Sequence, residues 1–210
     1  MIIAIDGPSA SGKSSVAKKL AKELGFTYID SGAMYRAVSY YMQKHGIENE
    51  EEVKKSLEKL SFHVEPECIK VDQEFLTDEL RTEQVDRSVS YYSALLSVRN
   101  FLNKILQETS ESKDVIMDGR DIGTVVFPDA DLKFFMIASA DTRARRRLGD
   151  RPDSDYEVIL EDIKRRDFYD SNRLHAPLKK AEDAIEIDTD HLSIDDVVET
   201  MKGYFHEKHR

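Results

Sequence analysis

The apolar residues of this chain fall into two alternating patterns. Continuous apolar runs of strand length recur along it, which is typical of parallel strands that are buried on both faces. Between the runs, apolar residues are spaced three and four positions apart, which predicts amphipathic helices. The alternation predicts an α/β fold, with a parallel sheet flanked by helices. The five predicted strands cover residues 1–5, 26–29, 115–117, 132–138 and 184–188.

One part of the chain departs from this alternation. Residues 60–76 carry their apolar positions in short runs, with Pro66 at a turn, which predicts a small antiparallel β insertion. Helical spacing precedes the insertion over residues 49–60 and resumes over residues 82–110. The insertion therefore interrupts a stretch that is otherwise predicted to be helical.

The first predicted strand runs directly into a candidate phosphate-binding loop. Residues 7–14, Gly-Pro-Ser-Ala-Ser-Gly-Lys-Ser, fit the pattern G-x-x-x-x-G-K-[ST], and helical spacing follows at once. Glycines allow backbone N–H groups to converge at a helix N-terminus, where the helix dipole favours phosphate. Lys13 supplies charge for the β- and γ-phosphates, and the Ser14 hydroxyl can ligate Mg²⁺. This context predicts a nucleoside-triphosphate site rather than a chance glycine-rich turn. The predicted ATP-binding residues of the loop are Gly7, Pro8, Ser9, Ala10, Ser11, Gly12, Lys13, Ser14 and Ser15.

Polar and charged residues follow the carboxyl ends of other predicted strands, where open α/β sheets bind ligands. Ser31 and Arg36 follow the second strand, although an N-cap serine with a surface arginine explains that position equally well. Asp118 ends the third strand, and an acid there is the usual partner of a P-loop Mg²⁺ site, although strand-end aspartates also form turns. We expect Ser14 and Asp118 to hold Mg²⁺. A loop dense in glycine and charge is predicted over residues 119–124.

Arginines are concentrated after the fourth predicted strand. A chain with a formal net charge of −10 places five of them within residues 143–151, which favours an anionic ligand, although some of them are expected to form a solvated helix face. The polar stretch over residues 147–157 is interrupted by glycine and proline and is predicted to be a mobile lid. Arg147 and Arg151 are its candidate contacts to ATP. The five arginines are Arg143, Arg145, Arg146, Arg147 and Arg151.

Composition narrows the class of partner. The excess of acidic over basic residues, 41 against 31, disfavours nucleic acid, because phosphate backbones need a basic face. The single cysteine, Cys68, cannot form an internal disulfide, and no apolar run reaches the length of a membrane span. We therefore expect a cytoplasmic protein. No apolar helical stripe is left over, which favours a monomer.

Three motifs resemble the bacterial cytidylate kinase family of P-loop nucleoside monophosphate kinases. They are Asp30-Ser31-Gly32-Ala33-Met34-Tyr35-Arg36, residues 118–130 (Asp-Gly-Arg-Asp-Ile-Gly-Thr-Val-Val-Phe-Pro-Asp-Ala), and Arg166-x-x-x-Asp170-x-x-Arg173. The resemblance spans essentially the whole chain. It implies a single P-loop kinase domain over residues 1–210, with a five-stranded parallel sheet in the order 2-3-1-4-5. It also implies a monophosphate-binding region over residues 31–112, which includes the β insertion and is complemented by the short lid.

The same resemblance implies an activity and a set of site residues. The reaction is a transferase step of pyrimidine nucleotide metabolism, ATP + CMP or dCMP → ADP + CDP or dCDP, with Mg²⁺. Ser90, Arg99 and Asp121 resemble the family's cytosine readers, and Asp170 resembles its pentose contact. Which lid arginine touches the donor phosphates is left open. The implied catalytic residues are Lys13, Arg120, Arg166 and Arg173, and the implied CMP-binding residues are Ser31, Arg36, Ser90, Arg99, Arg120, Asp121, Arg166, Asp170 and Arg173.

Acceptor chemistry agrees with this resemblance. A hydroxyl acceptor needs a residue that takes its proton, whereas a monophosphate is already an anionic nucleophile. Many arginines and no obvious histidine base therefore favour a phosphate acceptor. The alternatives are another small P-loop kinase, for UMP, AMP or shikimate, and a non-catalytic nucleotide-binding switch. A GTPase-like switch is disfavoured because the chain contains no N-K-x-D motif.

Overall fold

The computed structural model describes residues 1–65, 68–111 and 113–209. Two compact units make up the chain, one comprising Met1–Ile29 with Lys113–Arg210, and the other comprising Asp30–Ser112. The second unit has nearly the boundaries that were predicted for the monophosphate-binding region, whose role stays a prediction. None of the helices in the described ranges is both long and apolar enough to cross a lipid bilayer.

The helices and strands follow the predicted alternation. In chain order they are β1 (Ile2–Asp6), α1 (Lys13–Leu24), β2 (Thr27–Asp30), α2 (Ser31–Lys44), α3 (Glu50–Leu57), β3 (Phe62–Val64), β4 (Ile69–Val71), β5 (Glu74–Leu76), α4 (Glu83–Ala94), α5 (Leu96–Ser110), β6 (Val115–Gly119), β7 (Leu132–Ile137), α6 (Ala140–Asp150), α7 (Tyr156–Asn172), β8 (Ile185–Asp188) and α8 (Ile194–Lys208). Two shorter segments join them, a 3-10 turn over Asp78–Arg81 and a π-helical turn over Ile122–Val126.

A five-stranded parallel sheet has the spatial order β2-β6-β1-β7-β8. Counted among these five strands alone, that order is 2-3-1-4-5, which the family resemblance implied. Strand β1 is central and pairs in parallel with β6 and β7, so that Asp6 lies opposite both Gly119 and Phe135. The carboxyl ends of β1 and β6 therefore meet at one edge of the sheet, where ligands of such folds bind.

Burial explains why β1 reads as a continuous apolar run. Ile3, Ala4 and Ile5 are all completely buried, because helices cover both faces of a parallel sheet. The main core of this unit joins the sheet to one face of α1 and of α8, through Leu20 and Met201 among others. This packing fixes the start of α1 against the end of β1, and so fixes the loop that connects them.

The second unit contains the predicted antiparallel insertion. Strands β3, β4 and β5 form a three-stranded sheet in that order, with Phe62 opposite Val71 and Ile69 opposite Leu76. Within the same unit α2 packs against α4 and β4, and α3 packs against α5. The turn that was predicted at Pro66 lies outside the described residues.

Three local predictions need correction. The helix predicted over residues 82–110 is two helices, because Leu95 adopts an extended conformation with φ −70° and ψ 126°. Ser31 is not an N-cap, since Asp30 caps α2 by accepting the N–H of Ala33 over 2.8 Å. The loop predicted over residues 119–124 contains the end of β6 and the start of the π-helical turn, in which the N–H of Phe127 reaches the carbonyl of Ile122 over 2.7 Å. Neither the break nor the turn carries a periodic apolar signal.

Candidate active site

Glycine is required at both ends of the phosphate-binding loop. Gly7 has φ 150°, and a Cβ added there would lie 2.1 Å from the carbonyl oxygen of Met136 in β7. The chain therefore leaves β1 pressed against its neighbouring strand. Gly12 caps α1 with φ 91°, and its carbonyl accepts the N–H of Val16 over 3.1 Å. These left-handed and close-packed positions bring the first N–H groups of α1 to the loop, as phosphate binding requires.

Lys13 is buried inside this loop. Its Nζ donates to the carbonyl oxygen of Pro8 over 2.6 Å and to the Ser11 hydroxyl over 3.3 Å. Burial lowers the pKa of the Lys13 ammonium well below its ordinary value; the guanidinium of Arg120 lowers it further, and the nearby carboxylates, Asp118 foremost, oppose both effects. An anion beside Nζ would favour the charged form, so Lys13 is suited to bind phosphate.

Ser14 and Asp118 meet as the sequence predicted for a metal pair. The Ser14 hydroxyl donates to Oδ2 of Asp118 over 2.8 Å, although the two residues are 104 positions apart. The Tyr28 hydroxyl donates to the other carboxylate oxygen over 2.9 Å and so orients it. These hard oxygen ligands fit Mg²⁺, which is commonly held by one or two side chains together with substrate phosphates. Within the described ranges, no group of three or more His, Cys, Asp and Glu side chains forms an alternative metal site.

Asp6 is a buried polar residue that sequence reasoning missed. Its carboxylate accepts the N–H of Ile122 over 2.9 Å and that of Gly123 over 2.7 Å. Burial raises the pKa of Asp6 to about 6; the two N–H donors and Lys13 lower it, whereas Asp121 raises it. The available signal was its position, an acid placed directly between an apolar core strand and the phosphate-binding loop.

Arg120 and Arg173 of the first unit each form an ion pair with an aspartate. Nε of Arg120 donates to Oδ2 of Asp170 over 2.9 Å. Nη2 of Arg173 donates to Oδ1 of Asp121 over 2.8 Å, while its Nε donates to the carbonyl oxygen of Ala176 over 2.6 Å. The structure thus brings together residues that the sequence holds about 50 positions apart, as the predicted site requires.

A third arginine completes this cluster. Burial raises the pKa of Asp170, but the guanidinium groups of Arg120, Arg166 and Arg173 outweigh burial and leave that pKa below its ordinary value. Three guanidinium groups surround two carboxylates, Asp121 and Asp170, so the cluster carries an excess of positive charge. Such an excess suits an anionic ligand.

Most of the α6 arginines bind protein groups. Arg143 donates to the carbonyl oxygen of Ser9 over 3.1 Å and forms a two-bonded pair with Asp167, over 3.0 and 2.6 Å. Arg146 donates to the carbonyl oxygen of Ser11 over 3.4 Å, and Arg145 pairs with Asp141 over 2.8 Å. Some of this run was expected to be a solvated helix face, and the exposed Arg145 is of that kind. Arg143 and Arg146 instead support the backbone of the phosphate-binding loop.

The predicted lid joins two helices. Helix α6 extends through Asp150 and α7 begins at Tyr156, which leaves residues 151–155 as the connection. Arg147 lies in the last turn of α6, and Arg151 is its C-terminal cap. The mobility of this segment and the contact of either arginine with ATP stay predictions.

Ser31 and Arg36 lie at the start of α2 in the second unit. Ser31 is buried, and Nη2 of Arg36 lies 3.3 Å from Oδ2 of Asp30. A Cβ added at Gly32 would lie 3.2 Å from both Nη1 of Arg36 and Oδ1 of Asp30, so the guanidinium packs closely over the helix start. Among the described residues, the buried Nε of Arg36 has no hydrogen-bond partner. That donor is consistent with a binding role.

Arg99 and Ser90 belong to the same unit. Arg99 is only 2% exposed, and its Nη1 donates to the carbonyl oxygen of Ser93 over 3.0 Å. Its guanidinium carbon lies 5.4 Å from the ring centroid of Tyr35. The Ser93 hydroxyl in turn donates to the carbonyl oxygen of Ser90 over 3.3 Å. A buried arginine held against a tyrosine is a rigid donor, as a base reader needs to be.

The sequence of this chain is similar to those of known proteins along nearly its whole length. The profile of the cytidylate kinase family matches residues 3–207. A cytidylate kinase of Caldanaerobacter subterraneus is 47% identical over 205 residues, which cover 95% of this chain and 92% of that protein. One of Thermosipho melanesiensis is 43% identical over 210 residues, which cover 98% and 97%.

Solved structures agree on the fold alone. A shikimate kinase from Bacteroides thetaiotaomicron aligns with a TM-score of 0.50 at 12% identity, over 98% of both chains. An uncharacterized protein from Eubacterium ventriosum aligns with a TM-score of 0.55 at 16% identity, over 99% of this chain and 98% of that one.

Proposed function

The chain belongs to the cytidylate kinase family, and from that premise we propose how its residues transfer the γ-phosphoryl group of ATP to CMP or dCMP. The donor site is the loop over residues 7–15. Its backbone N–H groups hold the ATP phosphates at the start of α1, and Lys13 binds oxygens of the β- and γ-phosphates. Because Lys13 is buried, its interaction with developing charge is only weakly screened by water.

We propose that Ser14 and Asp118 hold Mg²⁺ beside the ATP phosphates. The support is the 2.8 Å contact between the Ser14 hydroxyl and Oδ2 of Asp118, with Tyr28 fixing the remaining carboxylate oxygen. When bound there, Mg²⁺ neutralises charge on the phosphate oxygens. Tyr28 is a positioning residue in this scheme, since its hydroxyl donates to the Asp118 carboxylate.

The residues proposed to bind the acceptor phosphate are supported within each unit by itself. Arg120, Arg166 and Arg173 are supported by the excess positive charge of their cluster. Ser31 and Arg36 are supported by the burial of the serine and by the buried Nε of the Arg36 guanidinium. Guanidinium groups match phosphate oxygens with two parallel hydrogen bonds. They offset the repulsion between the acceptor phosphate and ATP.

The cytosine and pentose contacts are proposed from hydrogen-bonding capacity. Cytosine has an N4 amino donor, and N3 and O2 as acceptors. Asp121 as a carboxylate only accepts, so it suits the amino group, whereas Arg99 only donates and suits N3 or O2. The Ser90 hydroxyl can supplement either contact, and Asp170 is proposed to bind the pentose.

Transfer then needs no catalytic base. The acceptor phosphate attacks the γ-phosphorus as an anion, the bond to the β,γ-bridging oxygen breaks, and ADP leaves with that oxygen. Lys13 and the arginines stabilise the charge on the phosphoryl oxygens during this in-line displacement. The observation that carries the proposal is the convergence of Ser14, Lys13 and Asp118 at the end of β1 and β6.

A coupled assay of ADP formation tests the function. The acceptor panel contains CMP, dCMP, UMP, AMP and shikimate, with a reaction lacking acceptor as control. We expect ADP to form with CMP and dCMP in clear preference to the others. Equal ADP formation without acceptor would instead indicate a nucleotide hydrolase or switch. Preference for UMP, AMP or shikimate would overturn the assignment of the acceptor.

We also propose that the protein acts as a cytoplasmic monomer that does not bind nucleic acid. The net charge of −10 and the single cysteine support the compartment and the absence of nucleic acid. Val197, Val198 and Met201 of α8 are buried inside their own unit. Sedimentation at micromolar concentration tests the monomer, and a mass of twice 24.1 kDa would contradict it.

A further inference from the structure

We propose that Asp6 is a positioning residue that holds the acceptor turn, residues 119–124, from the central strand of the sheet. Asp6 ends β1 and immediately precedes Gly7, the first residue of the phosphate-binding loop, and its carboxylate also anchors the turn that carries Arg120 and Asp121. The P-loop pattern assigns it no role, since that pattern begins one residue later. The inference rests on the proposed function of Arg120 and Asp121.

Hydrogen bonding at the π-helical turn is the first argument. The first N–H groups of a helical turn lack partners within it, and an N-cap side chain normally accepts them. Here the N-cap is Asp121, whose side chain makes no capping bond. Asp6 accepts instead from the first two N–H groups, those of Ile122 and Gly123, over 2.9 and 2.7 Å. The negative charge of the Asp6 carboxylate also interacts favourably with the positive, N-terminal end of the dipole of the turn.

The consequence concerns Asp121. Because Asp6 caps the turn, the Asp121 carboxylate is not used for capping and pairs with Arg173 over 2.8 Å. Its backbone carbonyl meanwhile accepts the N–H of Val125 over 2.9 Å, which starts the turn. The side chain proposed to read cytosine is therefore fixed on both sides, by Arg173 and by the turn that Asp6 anchors.

Packing around Gly123 is the second argument. A Cβ added there would lie 3.1 Å from Cδ of Lys133 and 3.5 Å from Oδ2 of Asp6. The Lys133 ammonium pairs with Asp183 over 2.8 Å. The charged groups that act on Asp6 are Asp121 and Lys13, one from the acceptor turn and one from the ATP loop. The turn thus packs closely on the Asp6 carboxylate and on the stem of Lys133.

The test replaces one carboxylate oxygen of Asp6 by an NH₂ group and compares the kinetic constants for CMP and ATP. In Asp6→Asn, an NH₂ group faces a backbone N–H, so one hydrogen bond is lost and two donors conflict. We expect KM for CMP to rise and kcat/KM for CMP to fall by about tenfold to a hundredfold, while KM for ATP changes by less than about threefold. In NMR spectra the amide signals of Ile122 and Gly123 should shift.

Asp131→Asn is the matched control. Asp131 is exposed, and its carboxylate accepts the N–H of Ile2 over 2.7 Å at the opposite end of β1. We expect both substrate constants of this variant to stay within about twofold of wild type, as for an exposed substitution away from the site. Asp6→Ser is a second variant, should Asp6→Asn fail to fold, since its shorter side chain retains an acceptor oxygen. The same asymmetry between CMP and ATP is expected for it.

The outcomes separate this inference from the proposed function. Unchanged constants for both substrates, or losses in equal proportion, would mean that Asp6 only supports the fold, and would overturn its positioning role. The base assignment fails separately if Asp121→Ala leaves the CMP-to-UMP preference unchanged. In that case a rise of KM for CMP alone in Asp6→Asn would still show that Asp6 positions the acceptor turn.

Discussion

Arg173 and Asp121 form an ion pair over 2.8 Å in which the side chains are only 7% and 5% exposed. The pair connects the acceptor turn to the residue that follows α7, 52 positions later in the chain. A carboxylate held by a guanidinium has a fixed orientation and retains lone pairs for a further donor. In the proposed function, this rigid carboxylate is the acceptor that meets the base.

Base preference should depend on Asp121. Uracil offers O4 as an acceptor and N3–H as a donor, so UMP would oppose Asp121 with an acceptor and Arg99 with a donor. Each mispaired buried group costs about 1–3 kcal/mol, so we expect kcat/KM for CMP to exceed that for UMP by about tenfold to several hundredfold. Asp121→Ala should reduce this ratio, chiefly through loss of activity with CMP. Steady-state kinetics with both nucleotides measures it.

A stability control belongs with that variant. Removing Asp121 breaks its buried ion pair with Arg173, which costs about 3–5 kcal/mol of folding stability. Asp121→Asn keeps an acceptor oxygen beside Arg173 and is the milder companion. If CMP and UMP activities fell in equal proportion in both variants, Asp121 would not contact the base.

Lys13→Ala should remove most turnover and leave the fold intact. Its ammonium is proposed to stabilise the negative charge that develops in the transition state, and loss of one such donor typically lowers kcat by about 10²–10³. Lys18→Ala is the matched control, because Lys18 is exposed on the same helix α1. Its kcat should equal that of wild type. Activity of Lys13→Ala within a few-fold of wild type would contradict the P-loop assignment.

Asp6 should make stability fall as pH rises through its folded pKa. The pKa of about 6 lies above the ordinary 3.8, so the folded protein binds this proton more tightly than the unfolded chain. The free energy of unfolding should therefore decrease by about 1–1.5 kcal/mol between pH 5 and pH 7 through this group. Asp170, whose pKa is lowered, contributes below pH 4, outside this window.

Urea unfolding at pH 5 and at pH 7 measures the free energy of unfolding of wild type and of each variant, and the change between the two pH values is then compared. The stability of Asp6→Asn should lack this dependence on pH, whereas that of Asp131→Asn should retain it. A pH dependence that is the same for wild type and Asp6→Asn would mean that the Asp6 carboxyl does not titrate in this range.

Closure of the lid should be visible in hydrogen exchange. Residues 147–157 are expected to exchange rapidly without ligand and more slowly with both nucleotides bound, since closure excludes water from the transfer. Arg147→Ala and Arg151→Ala should each be compared with Arg145→Ala, whose side chain pairs with Asp141 on the surface. The arginine that contacts ATP should raise KM for ATP when removed. Exchange that is equal with and without nucleotides would exclude a lid.

The sequence predicted what depends on local pattern. A few neighbouring residues were enough to predict three features: the buried strand around Ile3, the phosphate-binding loop that ends in Lys13 and Ser14, and the acid at the strand end, Asp118. The strand order was predicted only from the family resemblance, because spacing within the chain does not determine which strands are neighbours. The proposed cytosine-binding residues also came only from that resemblance.

What the sequence missed depends on contacts between distant positions. In the sequence, Arg143 and Arg146 belong to a basic run that favours an anionic ligand. In the structure they donate to the backbone carbonyl oxygens of Ser9 and Ser11, which lie about 135 positions earlier. Asp6 likewise acquires its role only when the sheet brings it under the π-helical turn. Such residues become recognisable once the tertiary fold has placed their partners.

The close approach of Gly7 to β7 has a consequence for turnover. Since the Met136 carbonyl occupies the place that a Cβ at Gly7 would take, the neighbouring strand shapes the backbone of the loop. The conformational entropy of that backbone is lost once, when the protein folds. Each catalytic cycle can then begin with the loop already in its working shape, so that binding energy from ATP remains available for the transition state.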